Sequence, residues 1–178
     1  ALRINTAVAG AWPELLGSGI QVLHVLGPKN LVPSVARSVD QGSGAVYQPV
    51  AYVAQMEQAY AAADLMLARS GANTVLETAA VGLPSIYVPY PHGNGEQRRN
   101  ATIVLNAGGG ELLDDAACTA GEVIRRLRSL LKRAPFDGGT EIEIRTVAEI
   151  ADFGDAFDPK LAEVEEKLRR QGGYAEKR

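Results

Sequence analysis

Apolar positions recur along the first 133 residues in two alternating rhythms. Ile4, Val8, Ala11, Trp12 and Leu15 return at helical spacing, with a possible kink at Pro13, and the β-type run Ile20 to Leu26 follows, ending at Gly27-Pro28. The pattern then predicts a helix from Leu31 to Ser38, a strand Ala45 to Gln48, and a helix near Tyr52 to Ala62 with Met56, Ala59, Tyr60 and Ala63 inward. A strand Leu65 to Ala68 leads into a helix from Asn73 or Thr74 to Val81, stopped by Gly82 and Pro84. Strand Ser85 to Val88, a helix Glu96 to Ala107 ending at Gly108-Gly109-Gly110, a short strand at Leu112 and a helix Thr119 to Lys132 complete the series. Strands alternating with helices of this length predict an α/β fold, a Rossmann-like doubly wound parallel sheet covered on both faces. Such sheets bind ligands beyond the carboxyl ends of their strands.

After Arg133 the texture changes. The first 133 residues carry 21 charges and the last 45 carry 18, with Pro135 and Gly138-Gly139 at the break. A boundary is therefore expected near 134, dividing a domain at 1–133 from a charged tail at 134–178. In the tail, Glu141 to Val147 alternates charged with apolar residues, as a half-exposed strand does and the buried middle of a parallel sheet does not. Asp158-Pro159 opens a second tail element, a helix with Leu161, Val164 and Leu168 on one stripe.

Composition removes several classes of function. Eighteen basic and 21 acidic residues leave a net charge of −3, without the basic excess that nucleic acid requires. Cys118 is the single cysteine, which rules out an internal disulfide and a thiolate metal cluster and fits a reducing, cytoplasmic setting. No apolar run reaches a membrane-spanning length, and the first residues show no signal-peptide pattern. No P-loop, Ser-x-Gly elbow or metal-ligand spacing occurs, so neither a metal nor a cofactor is expected.

Two stretches carry chemistry. In Arg69-Ser70-Gly71-Ala72-Asn73-Thr74-Val75-Leu76-Glu77 a buried strand turns through small residues into a helix, and free backbone N–H groups with the helix dipole attract phosphate there. Val75, Leu76, Ala79 and Ala80 are the expected core face of that helix, leaving Asn73, Thr74, Glu77 and Thr78 toward the crevice. Glu77 can accept hydrogen bonds from two ribose hydroxyls. Thr74-x-x-Glu77 is also a capping box, which spacing alone favours, and the two roles are compatible. The second stretch, Pro89 to Asn100, is a polar loop entering a helix; its Gly93 and Gly95 suit a turn and its side chains suit a polar ligand. His92 has no evident partner, and His24 reads as a satisfied core or strand-end histidine.

Together, Arg69 to Glu77, then Ala80-Val81-Gly82-Leu83-Pro84, then Gln97-Arg98-Arg99-Asn100-Ala101, resemble the donor-site signature of the MurG family. That family comprises the N-acetylglucosaminyltransferases that make lipid II for bacterial peptidoglycan. The resemblance spans about Ala1 to Lys132, and Gly93-Asn94-Gly95-Glu96-Gln97 is similar to the actinobacterial branch. It implies the C-terminal, donor-binding half of a two-domain GT-B fold, with UDP-N-acetylglucosamine as donor and a lipid-linked acceptor held by an N-terminal domain. It further implies that backbone groups at Tyr52-Val53 hold the uracil and Glu77 the ribose. The diphosphate and sugar would lie over Ser70, Gly71, Ala72, Asn73 and Thr74, with Gln97 and Asn100 reading sugar hydroxyls and Glu96 replacing a family glutamine. The family places a strand and a Gly-Gly-Ser-Gln-Gly loop before the segment matching Ala1 to Asn5. The resemblance thus implies that this sequence lacks part of the diphosphate cradle, a central strand, and the acceptor domain with its catalytic histidine. Within this sequence the catalytic residue is unknown, and the resemblance implies that the parent enzyme works in the cytoplasm, peripheral to the inner face of the membrane. Two further readings are a non-catalytic structural or interaction module on the same scaffold and the donor subunit of a split, two-chain transferase.

Overall fold

The computed structural model describes residues 2–133 and 145–147. Helix α1 (Leu2–Gly17) leads to β1 (Gln21–Val25), a two-residue β2 (Ser38–Val39) and β3 (Val46–Val50). Then come α2 (Met56–Ala62), β4 (Leu65–Ala68), α3 (Ala72–Ala80), β5 (Ser85–Tyr87) and α4 (Glu96–Asn106). Strand β6 (Gly110–Leu112), a 3-10 turn at Asp115–Ala117, α5 (Ala120–Arg133) and β7 (Arg145–Val147) follow. The sheet runs in the order β2-β3-β1-β7-β4-β5-β6, and every pairing is parallel except that of the edge strand β2 with β3. The expected doubly wound parallel sheet is what the described residues form.

The pleat explains the layers, because successive side chains point to opposite faces. Val22, Leu65, Leu67, Ile86 and Val88 pack with α1 and α5 residues such as Ala11, Leu15, Val123 and Leu127. Their neighbours Leu23, Met66 and Tyr87 face the other way, toward α2, α3 and α4. Gly110 sets the spacing at β6: a Cβ there would lie 2.2 Å from the Ser85 carbonyl oxygen, so only glycine allows β5 and β6 this approach.

Three expectations about local structure are overturned. Residues 31–37 form irregular chain with a turn at 33–35, and Ser38 opens β2, so the expected helix is absent: Pro33 removes a backbone donor and restrains Val32, and the apolar Val32 is left 45% exposed with no face to bury. The core face of α3 is Val75 and Thr78, whereas Leu76 is 67% exposed and Ala79 and Ala80 face outward. Thr78 is tolerated inside because its hydroxyl bonds to the Thr74 and Val75 carbonyls and to the Tyr87 hydroxyl at 2.6 Å. The third correction is β7. It runs in the middle of the sheet, between β1 and β4, pairing Gln21 and Val22 on one side and Leu65 and Met66 on the other. Three residues with Thr and Val among them are enough for that ladder, and the charged alternation that suggested an edge belongs mostly to the residues before it. The expected helix after Pro159 lies outside the described residues.

Candidate functional site

Strand β4 ends at Ala68, and the turn Arg69-Ser70-Gly71 delivers the chain into α3. Gly71 is the N-cap, in extended conformation, and no side chain caps the helix. The Thr74–Glu77 capping box is therefore absent: the helix starts at Ala72, which places Thr74 inside the first turn rather than at the cap. The first helical bond is donated by Val75 N to Gly71 O at 3.0 Å, so the N–H groups before Val75 have no acceptor within the helix. Ala72 and Asn73 are exposed at that end, with Gly71 and Thr74 half-buried. Ser70 is fully buried and its Oγ has no hydrogen-bond partner among the described residues. A buried hydroxyl left unsatisfied beside an open helix N-terminus suits an anionic or polyhydroxyl ligand.

Other elements converge on this turn. Asn100 of α4 donates from Nδ2 to the Ser70 carbonyl at 3.2 Å, which keeps its Oδ1 for another donor. Gln97 accepts the Tyr90 N–H at 2.9 Å through Oε1, leaving its amide nitrogen available. Glu96 instead turns to the loop tip, where its backbone N–H and its carboxylate both bond Asn94. Across α3, the Glu77 carboxylate is exposed and accepts the Tyr60 hydroxyl at 2.7 Å, so α2 orients it. Val53 is buried among Leu23, Val50, Ala59 and Ala62, so at this residue only backbone groups can meet a ligand; Tyr52 beside it is 68% exposed. Ser70 and Asn100 are thus brought together, with Gln97 one turn earlier on α4 and tied to Tyr90; Glu77 stands on the helix that the turn opens, and Glu96 is directed elsewhere.

Sequence reasoning missed the residues that organise the adjoining space. Arg69 donates from Nη1 to the Val88 and Pro89 carbonyls, both at 3.1 Å, and its Nη2 lies 2.6 Å from Asp115 Oδ1. Its guanidinium also lies over the Tyr90 ring, 5.6 Å from the centroid. Arg3 reaches the other Asp115 oxygen at 3.2 Å. These groups line a cleft of about 740 Å³ together with Leu2, Tyr90 and the exposed His92, whose ring meets Tyr90 edge-on. The cleft touches the predicted stretch Arg69 to Glu77 only at Arg69, next to Ser70. Cys118, in its wall, has its thiol pushed up by burial first and by the Asp115 charge second, so it is not a nucleophile at neutral pH. In the sequence the strand-end Arg69 and the loop Pro89 to Asn100 signalled part of this, and nothing signalled Arg3 or Asp115.

The model of the glycosyltransferase family 28 C-terminal domain matches residues 1–152. The chain belongs to that family. It is 58% identical over 116 residues to a Cutibacterium acnes protein named UDP-N-acetylglucosamine–N-acetylmuramyl-(pentapeptide) pyrophosphoryl-undecaprenol N-acetylglucosamine transferase, covering 65% of this chain and 31% of that protein. The Mycobacterium ulcerans protein of the same name is 50% identical over 135 residues, 76% of this chain and 34% of its own length. Among solved structures, Acinetobacter baumannii MurG aligns with a TM-score of 0.48 at 27% identity, covering 53% of this chain and 27% of that one. The chain spans about a third of the length of the curated relatives it matches. No helix of the described residues is long and apolar enough to cross a membrane.

Proposed function

We propose that this chain is the donor-binding half of a glycosyltransferase that moves N-acetylglucosamine from UDP-N-acetylglucosamine to a lipid-linked muramyl pentapeptide, forming lipid II. The observation that carries the reading is the turn into α3, where the unpartnered Ser70 hydroxyl and the open N–H groups of Ala72 to Thr74 lie beside Asn100. The diphosphate lies over that turn, the ribose hydroxyls meet Glu77, and uracil takes backbone groups at Tyr52 and Val53. The free amide of Gln97 and the free Oδ1 of Asn100 read the sugar. Glu96, tied to Asn94, has at most a peripheral part.

In the transfer, an acceptor hydroxyl loses its proton to a base on an N-terminal acceptor domain and attacks the anomeric carbon. The bond to the diphosphate oxygen breaks with inversion, and the charge that develops on the departing UDP is stabilised by the α3 N-terminus. No step in this scheme uses a divalent metal. The lipid-linked acceptor sets the place of action at the cytoplasmic face of the membrane, reached through the acceptor domain. Calorimetric titration with UDP and then UDP-N-acetylglucosamine tests the donor reading. Saturable binding of both, tighter for the sugar nucleotide, is expected; absence of binding by either would overturn it and leave a structural module on the same scaffold.

A further inference from the structure

The chain that leaves β5 is poor in hydrogen-bond donors. Pro89 and Pro91 have no backbone N–H, so Tyr90 holds the only one in that tripeptide, and it is donated to Gln97 Oε1 at 2.9 Å. Only the oxygen of a carboxamide accepts, so this bond decides which way the Gln97 amide faces: Oε1 is occupied and Nε2 is left to donate. The carbonyls of the same stretch are served by Arg69. Its Nη1 donates to both the Val88 and the Pro89 carbonyl, each at 3.1 Å, which spends the two hydrogens of that nitrogen. Nη2 lies 2.6 Å from Asp115 Oδ1, and the guanidinium lies over the Tyr90 ring. A continuous line of contacts therefore runs from Asp115 through Arg69 and Tyr90 to the Gln97 carboxamide.

The two ends of that line are firm. The Arg69 and Asp115 side chains are 21% and 12% exposed, so solvent and salt screen their pairing less than they would at an open surface. Asp115 follows Asp114, which pairs with Arg98 of α4, and Arg99 of the same helix donates from Nη1 to the Asn94 carbonyl at 2.8 Å. The loop is thus gripped at its start by Arg69 and at its end by α4 itself. The turn into α3 does not depend on this grip. Its approach is fixed by the Val88 N–H on the Ala68 carbonyl at 2.8 Å, and Asn100 holds the Ser70 carbonyl. A planar fork is what the position needs, because one flat group must reach two carbonyls and a carboxylate while covering an aromatic face.

We infer that Arg69 is a positioning residue for sugar recognition: braced by Asp115, it holds Val88 to Tyr90 where the Tyr90 N–H locks the Gln97 carboxamide with its nitrogen as donor to a sugar hydroxyl oxygen. The inference rests on the donor reading above and names what sets the sugar preference of that site. Arg69 does not touch the ligand, since Nη1 is spent on carbonyls and Nη2 on Asp115; it acts through Tyr90 and Gln97. Without the brace the carboxamide turns about its last bond and presents oxygen as readily as nitrogen, so the sugar contact is made against lost rotational freedom. The nucleotide, placed at the turn into α3 and at Glu77, keeps its contacts.

The test compares UDP-N-acetylglucosamine with UDP by calorimetric titration of wild type, Arg69→Met, Arg69→Lys, Gln97→Ala and the double variant Arg69→Met with Gln97→Ala. In Arg69→Met the preference for the sugar nucleotide should fall about five- to tenfold while UDP affinity stays within about twofold of wild type. Arg69→Lys keeps the charge beside Asp115 but not the fork, and should lose about two- to fivefold of the preference; it carries the comparison should Arg69→Met fail to fold. Once Gln97 is alanine, replacing Arg69 should change the preference by less than about twofold, because the group it acts through is gone. An unchanged preference in both Arg69 variants overturns the inference. So does an equal loss for both ligands, which marks a role in folding, and so do additive losses in the double variant. Amide hydrogen exchange on the unliganded protein separates the inference from the donor reading: the Tyr90 N–H should exchange about five- to tenfold faster in Arg69→Met, as it should in Gln97→Ala. If wild type binds no UDP, the donor reading fails, and unchanged Tyr90 exchange in Arg69→Met would overturn the brace independently.

Discussion

Replacing Glu77 by glutamine isolates the charge that the proposed ribose contact uses. In the native protein Glu77 accepts the Tyr60 hydroxyl at 2.7 Å, and a glutamine oxygen can accept the same bond, so the link between α2 and α3 survives. The helix start is also insensitive to the change, since Gly71 is the N-cap and no side chain caps it. Stability should therefore stay within about 0.5 kcal/mol of wild type, the usual range for a surface substitution. The ligand term is larger. A hydrogen bond to a charged group contributes about 1.5–3 kcal/mol against about 0.5–1.5 for a neutral one. Their difference, about 1–2 kcal/mol, is roughly a 5- to 30-fold loss of UDP affinity, with the lower end favoured because Glu77 is exposed. Tyr60→Phe should give a smaller loss, about two- to fivefold, because it frees the carboxylate without removing it. In the double variant the Tyr60 effect should shrink without vanishing, since the neutral side chain that Tyr60 then orients makes the weaker bond to the ligand. Calorimetry with UDP and urea melts on all four proteins measure these quantities. Equal UDP affinity in wild type and Glu77→Gln would refute the ribose assignment, and fully additive losses would refute the orienting role of Tyr60.

Alanine at Gln97 or Asn100 is expected to weaken UDP-N-acetylglucosamine binding more than UDP binding; titrations with both ligands check this, and equal losses would place these residues in folding or nucleotide binding. Burial lowers the His24 pKa from 6.5 to about 4, so the unfolded chain binds a proton there before the folded one does. The stability this contributes is complete above pH 6.5 and is lost as pH falls toward 4; about 2 kcal/mol should be gone at pH 5, visible as a lower urea midpoint than at pH 7.5, and His24→Leu should remove that part of the pH dependence. Thr146→Pro takes a backbone donor from a strand paired on both sides, and a loss of about 3 kcal/mol or more is expected in thermal or urea unfolding.

The strand-helix alternation was readable because a parallel sheet covered on both faces needs short, mostly apolar strands, and Leu65–Ala68 and Ser85–Tyr87, buried almost throughout, are such segments. Helices α4 and α5 were equally plain, the first bounded by Gly95 and Gly108-Gly109, the second carrying a single apolar face. The phase of α3 was not readable. Its apolar letters suggest Leu76 inside, but the residue that goes in is Thr78, and only the Tyr87 hydroxyl across the layer makes that acceptable. The site followed the same division. The residues of the turn into α3 announce themselves by small size and polarity in one run of chain. Tyr60 with Glu77 and Arg69 with Asp115 are pairs between separate elements, and no local pattern reports them.

The placement of β7 has a consequence for the order in which the protein can be made. Among the described residues, β2-β3-β1 and β4-β5-β6 share no ladder except through Arg145–Val147, which the ribosome adds after all the others. Without those three residues the described strands fall into two three-stranded halves whose facing margins, β1 and β4, carry N–H and C=O groups with no partner strand, beside the buried Val22, Leu23, Leu65 and Met66. Open margins of this kind pair with any extended segment in reach. Closure of the sheet is therefore a competition between Arg145–Val147 and neighbouring chains for the same two margins, which dilution should tip toward the native strand.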